Sequence, residues 1–513
     1  MEKSIGDIVT TDEIIFAPIS KSFQVPVCNK TVVTEISEDL TLPDYLPEIR
    51  RLLRVTPSIS VPSQYVNGSV AEFSGTVNWN ILYVCGDGTL SEASFSSPYE
   101  VSADFDESNV DDAIAFIETI PENILGKVTA PRKLNIRGRL SHTVKAYGDR
   151  STTDDSYDTE DATHVKKLSK TVPSLKILSG VDNTLELSES IGLSNGERIV
   201  SKRGTVLINQ ATPSEQGITC QGNVCLSFIT ETEDKKASVT ERNLPFSAYV
   251  PIDLEGDAWK CRVYGKIDDI EAEETETGNN IRIRISVAGE AERNQPCQIT
   301  TDIFSTKHKA DTTVDKISLP CSLDIGHFNF VHDGSAEIDG LPEGAEIIDV
   351  YTTARAEKLI LENEKYILLG KCKYNVLYGS EKEYSVRESE FPFSCELGSG
   401  TEAPKDFSAD ICVRSSKVRP EGENMAFSSE LTASVNIIGE TPVTAVTDVS
   451  FNEDLPTRSS AFTVAYTADG DTLWNIAKRY SVDPTFLAES NGLKKPLRAD
   501  DAETLSGVKY LII

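Results

Sequence analysis

Apolar and polar positions alternate through a nine-residue stretch that occurs three times. Gly75-Thr-Val-Asn-Trp-Asn-Ile-Leu-Tyr83 returns as Gly222-Asn-Val-Cys-Leu-Ser-Phe-Ile-Thr230 and as Gly370-Lys-Cys-Lys-Tyr-Asn-Val-Leu-Tyr378, 147 and 148 residues further on. Counted from each glycine, the even positions are Val77/Val224/Cys372, Trp79/Leu226/Tyr374, Ile81/Phe228/Val376 and Tyr83/Thr230/Tyr378. The odd positions are mostly polar until a final Leu82/Ile229/Leu377. A period of two puts the even set on the buried face of a strand. A second landmark keeps step: Pro98-Tyr99, Pro245-Phe246 and Pro392-Phe393 follow their glycines by 23, 23 and 22 residues. Two landmarks in register mean internal repetition. The pattern predicts three tandem β-rich modules, at 1–150 with an N-terminal lead-in, 165–310 and 318–440.

Between the repeats the pattern is less regular. Phe23–Val27 and Thr31–Ile36 read as lead-in strands. In Leu42-Pro-Asp-Tyr-Leu-Pro-Glu-Ile-Arg-Arg-Leu-Leu-Arg-Val55, Pro47 suits a first helical turn, and Ile49, Leu52 and Leu53 fall at helical spacing. A short packing helix is predicted there. Residues 149–162 are acidic and turn-rich and read as a loop or linker. Ile281, Ile283, Ile285 and Val287 alternate inward, and the intervening Arg282 and Arg284 face out toward an acidic strip at Glu271–Glu276. Residues 441–460, rich in Thr, Pro, Ser and Asp, read as a linker to a separate tail at 461–513.

The tail changes period. Leu473, Ile476, Ala477 and Tyr480 share one helical face, with Asp471 or Thr472 as cap. Asp483-Pro484 opens a second helix and Gly492 can end it. Strands at Phe462–Thr467 and Lys509–Ile513 complete a small βααβ unit. Trp474 lies about 100° off the apolar stripe. That places it at a rim, where aromatics anchor partners, or under the first loop as part of the core.

Composition narrows the function. The 513 residues carry a net charge of −31, which argues against nucleic acid. The tail carries six basic and seven acidic residues, so nearly all of the excess belongs to the β-modules. Met1–Val9 lacks the apolar core of a signal peptide, and no run of about 18 apolar residues exists, so no transmembrane segment and a cytoplasmic location are expected. The ten cysteines form no C-x-x-C pair and read as reduced thiols. None of His142, His164, His308, His327 and His332 lies in a metalloprotease arrangement; His327 and His332, five apart with Asp324 and Asp333 near, read as loop histidines, the alternative being a metal site. No H-E-x-x-H, G-x-S-x-G or phosphate-binding loop occurs. The expectation is a non-enzymatic protein without cofactor or metal, its modules strung into an elongated scaffold.

The Leu42-Pro-Asp-Tyr-Leu-Pro-Glu-Ile49 motif joined to three β-modules resembles the SPOCS domain family, found in clostridial spore-coat and exosporium proteins. The tail resembles a LysM domain: Gly470-Asp-Thr-Leu-Trp-Asn-Ile-Ala-Lys-Arg-Tyr480 matches its first loop and helix, and Val482 to Leu493 its second helix and Asn-Gly end. The LysM resemblance implies a ligand groove between Gly470, Asp471, Thr472, Leu473 and Trp474 on one side and Asn491, Gly492 and Leu493 on the other. Three SPOCS-like modules followed by one LysM domain resemble spore-coat morphogenetic proteins. That implies a mother-cell scaffold at the forespore surface, part of the spore coat, which recruits the coat basement-layer ATPase and other coat proteins. The alternative the LysM resemblance implies is binding of peptidoglycan or another N-acetylglucosamine glycan.

Overall fold

The computed structural model describes residues 22–106, 111–151, 164–192, 197–275, 278–337, 345–380, 383–421, 424–455, 463–493, 505 and 508–513. Most of the acidic stretch at 149–162 lies outside the described residues. The first unit contains β1 (Ser22–Thr41), β2 (Ile49–Ile59), β3 (Ser63–Asn67), β4 (Val70–Cys85), β5 (Leu90–Asp104), β6 (Asp111–Ala130) and β7 (Lys133–Ser151). The second contains β8 (Val165–Ile191), β9 (Arg198–Ser214), β10 (Gly217–Glu231), β11 (Ala237–Pro251), β12 (Lys260–Thr275) and β13 (Gly278–Ser305). The third contains β14 (His308–Glu337), β15 (Glu346–Glu362), β16 (Lys365–Gly379), β17 (Tyr384–Ser399), β18 (Asp406–Glu421) and β19 (Asn424–Asp454). Each unit is a sandwich of two antiparallel sheets with one wiring. The second to fourth principal strands make one sheet, and the first, last and fifth make the other: β9-β10-β11 and β8-β13-β12, for example. In the first unit, β3 adds to the edge of the sheet around β4.

The repeated stretch is the central strand of the first sheet in each unit, and its even positions are buried throughout. Both landmarks have one cause. Gly75 pairs with Tyr99, Gly222 with Phe246 and Gly370 with Phe393 across the sheet. Each aromatic ring lies over its glycine so closely that a Cβ at Gly222 would come within 2.7 Å of Phe246.

The units form a closed ring, which overturns the elongated arrangement. β5 meets β9, β11 meets β15, and β17 returns to β2, so each unit touches the next by the same pair of strands. At the centre Leu82, Ile229 and Leu377, one from each repeat, join a single apolar cluster with Leu53, Val200 and Ile348. The last three are bulged residues: the ladder skips each of them at the equivalent place in β2, β9 and β15. A bulge turns one extra side chain out of the alternation, and here it turns it toward the axis. Beside the apolar plug, Asp349 of the third unit accepts from Arg54 of the first at 3.2 Å and is gripped by both guanidinium nitrogens of Arg203 of the second.

Those bulges also correct the helix expected within 42–55. Residues 42–48 form a turn and Ile49 onward is β2, paired with β4 through two register shifts. The shifts space Ile49, Leu52 and Leu53 as a helix would, yet Leu52 packs into the unit's own core and Leu53 into the axial cluster. The stretch read as a linker is strand as far as Asp454, since β19 runs on alongside β14. His327 and His332, read as loop histidines, lie in β14, as does His308, and His142 lies in β7. His142 packs on Tyr99 with ring centroids 5.1 Å apart, and His332 lies 2.9 Å from the Tyr374 hydroxyl. Among the described residues, no group of His, Cys, Asp and Glu could hold a metal ion. The ten cysteines are free thiols. Arg282 pairs with Glu273 and Arg284 with Asp269, both on β12 of the same hairpin.

Candidate binding site

The tail is built from β20 (Val464–Tyr466), α1 (Leu473–Arg479), α2 (Pro484–Ser490) and β21 (Tyr510–Ile512). Phe462 lies outside the described residues. Of the two proposed caps for α1, Thr472 is the one used, accepting from the Asn475 N–H at 3.1 Å. Asp483 caps α2 through the Thr485 and Phe486 N–H groups, with Pro484 in the first turn. Gly492 follows α2 at φ +65°, and the Leu493 N–H returns to the Ala488 carbonyl. Positive φ at this place is the usual helix stop.

The candidate residues divide by direction. Leu473 and Leu493 point into the tail core and bring the two loops together there. Gly470 is exposed at φ +88°, with open space where a Cβ would stand, and Gly492 is exposed as well. Asp471 is committed to structure: its carboxylate accepts from the Ala468 N–H at 2.9 Å and from Arg479 at 3.0 Å. The Ala468 N–H, and after it Arg479, hold this carboxyl below the usual range. Asn491 locks the second loop to the last strand, exchanging hydrogen bonds with both the N–H and the carbonyl of Ile512. The arrangement offers a face of backbone groups and small residues, able to take hydrogen-bonding ligands.

Trp474 sits elsewhere. It is buried against β13, with its ring edge-on to Phe304 at 5.0 Å between centroids. Its indole N–H donates to Asp302 at 2.7 Å, and Lys478, one turn on, pairs with the other oxygen of the same carboxylate. Lys166 of β8 reaches the α2 cap Asp483. The contact that Trp474 anchors is therefore the union of tail and ring. Asp302 and Phe304 were not legible as site residues, because their partners lie more than 160 positions away in the chain.

A second exposed surface was also missed. Val464 pairs with Ile512 and Tyr466 with Tyr510 across the two-stranded ribbon. Ala465 and Leu511 turn inward between them, so all four flanking side chains face solvent together.

The LysM domain family model matches residues 468–498. The tail is accordingly a LysM domain, carried by a mainly β body. No curated protein and no solved structure matches the chain. Among the described residues, no helix is long and apolar enough to cross a membrane.

Proposed function

We propose that this is a non-enzymatic binding protein in which the three-unit ring holds a LysM domain as a fixed recognition head. The observation that carries the reading is the use of Trp474 and Lys478 to dock the domain on Asp302 and Phe304. Docking through the outer side of α1 leaves Gly470 and Gly492 exposed and Thr472 half-exposed. The ligand class this face suits is an N-acetylglucosamine glycan such as peptidoglycan. Backbone groups there can bond an N-acetyl amide, and the domain family supports that class. The test is co-sedimentation of the full chain with insoluble peptidoglycan. Binding abolished by Gly470→Val, with Trp474 still buried by fluorescence, supports the loop face; undiminished binding removes it.

A second reading is favoured by the exposed Val464, Tyr466, Tyr510 and Ile512. An apolar, aromatic surface of this kind suits a protein partner. It fits the finer setting implied by the SPOCS-like modules, in which the chain acts as the spore-coat morphogenetic protein SipL does. In that setting it is a scaffold in the mother cell, at the forespore surface, that recruits the coat basement-layer ATPase. Capture of that ATPase, lost in Tyr466→Ser with Tyr510→Ser, would carry this reading over the first.

A further inference from the structure

Glu292 is fully buried where the second and third units meet. One of its oxygens accepts from the Ser322 hydroxyl of β14, while the other, Oε2, has no hydrogen-bond partner. Asn436 of β19 stands beside it and, like Ser322, favours the charged carboxylate as a donor, though by less than burial disfavours it. Oε2 is thus held out of water with no donor of its own, an arrangement that penalises the charged carboxylate.

The surrounding cations are committed to other carboxylates, and Arg262 alone exerts a weak pull on Glu292. Arg262 of β12 is fully engaged by Glu290, with contacts of 2.8 and 2.6 Å, and gives its remaining bond to the Ser434 carbonyl. Lys260 lies across from Glu292 in the β12 ladder but is largely exposed and turned to Asp324 of β14 at 3.9 Å. Lys176 of β8 is held by Asp149, and Lys145 of β7 by Asp406. Tyr147 of β7 faces the pair with a phenol that burial keeps neutral. Asn294 and Ser322 exchange two backbone–side-chain bonds of 2.8 Å at the same place, so the contact is tightly registered.

We propose that Glu292 is a proton-operated latch between the second and third units. As the neutral acid it is accommodated in the buried contact, which stays closed; ionised, it puts a charge without a salt-bridge partner inside it. Burial first, then the neighbouring Glu290, pushes its carboxyl up to about 7. A raised carboxyl means the folded chain binds the proton more tightly than the unfolded chain. The latch therefore contributes fully at acid pH, weakens as pH rises through the window between the ordinary Glu range and about 7, and is open above it. Buried His327 and His332 titrate in the opposite sense below neutrality, because burial lowers both. The comparison with a variant isolates Glu292.

The experiment is denaturant unfolding of the full chain between pH 5.5 and 8.5, for wild type and Glu292→Gln. The ratio of the two folding constants should shift in favour of the variant by about thirtyfold across that range. Hydrogen-exchange protection in β13 and β14, corrected for the base-catalysed intrinsic rate, should fall with pH in wild type alone. Equal pH profiles, or a variant weaker than wild type at pH 8.5, would overturn the proposal. Should the variant not fold, infrared spectroscopy of wild type decides. A buried carboxylic-acid carbonyl band that disappears with a midpoint near neutrality supports the latch, and absence of such a band at pH 5.5 sinks it.

Discussion

The indole N–H of Trp474 donates to the carboxylate of Asp302, 172 residues earlier in the chain, across 2.7 Å. This bond and the Phe304 ring fix the LysM domain on the ring. Asp302→Ala should weaken docking by about 1.5–3 kcal/mol, the range for hydrogen bonds to a charged group. The expected readouts are a red-shifted Trp474 emission and faster proteolysis between 455 and 463. The unfolding transition of the ring should be unchanged. Loss of the ring's cooperative transition would mean that the domain is part of the body's fold.

Gly222 has no room for a side chain. A Cβ there would meet the Leu207 carbonyl oxygen as well as the Phe246 ring. Gly222→Ala is expected to destabilise the second unit by about 1–3 kcal/mol through overpacking, measured by chemical denaturation. A Phe246→Ala change in the same chain should recover part of that loss, since it removes one of the two obstacles.

Asp349 joins three units. Burial alone would raise its carboxyl, but Arg203 and then Arg54 outweigh it and hold it below the usual range. Its contribution is present above the unfolded carboxylate range and is lost as pH falls through the lowered folded value. Asp349→Ala leaves two buried guanidiniums unpaired and should cost about 3–5 kcal/mol. The variant should also lose part of the acid-induced destabilisation that the wild type shows below about pH 4. Retained stability would show that the ring closes without this charge cluster.

Leu377 lies in the axial plug with no exposed surface. Leu377→Ala should destabilise by about 2–5 kcal/mol, because the plug is packed from three directions and cannot collapse into the cavity. Because the plug is shared, calorimetry should show one lowered transition for all three units. A single unit melting early would indicate independent modules.

The strands of the repeat were legible because a buried face imposes a period of two, and Val77, Trp79, Ile81 and Tyr83 obey it. The tail was legible because Thr472, Asp483, Pro484 and Gly492 act locally, within one helical turn of the backbone groups they satisfy. Three features were not. The bulges at Leu53, Val200 and Ile348 break the alternation and imitate helical spacing at Ile49, Leu52 and Leu53. Closure of the ring depends on contacts between units, which leave no periodic signal. The role of Trp474 was half legible: its position off the helix stripe marks a second contact, but only the structure shows that Asp302 and Phe304 fill it.

The most direct measurement is calorimetric titration of the full chain with N-acetylglucosamine oligomers, beside Gly470→Val and Tyr466→Ser. Saturable binding is expected, lost in Gly470→Val and kept in Tyr466→Ser. No heat of binding from a chain whose Trp474 is docked, or a loss confined to Tyr466→Ser, would contradict it.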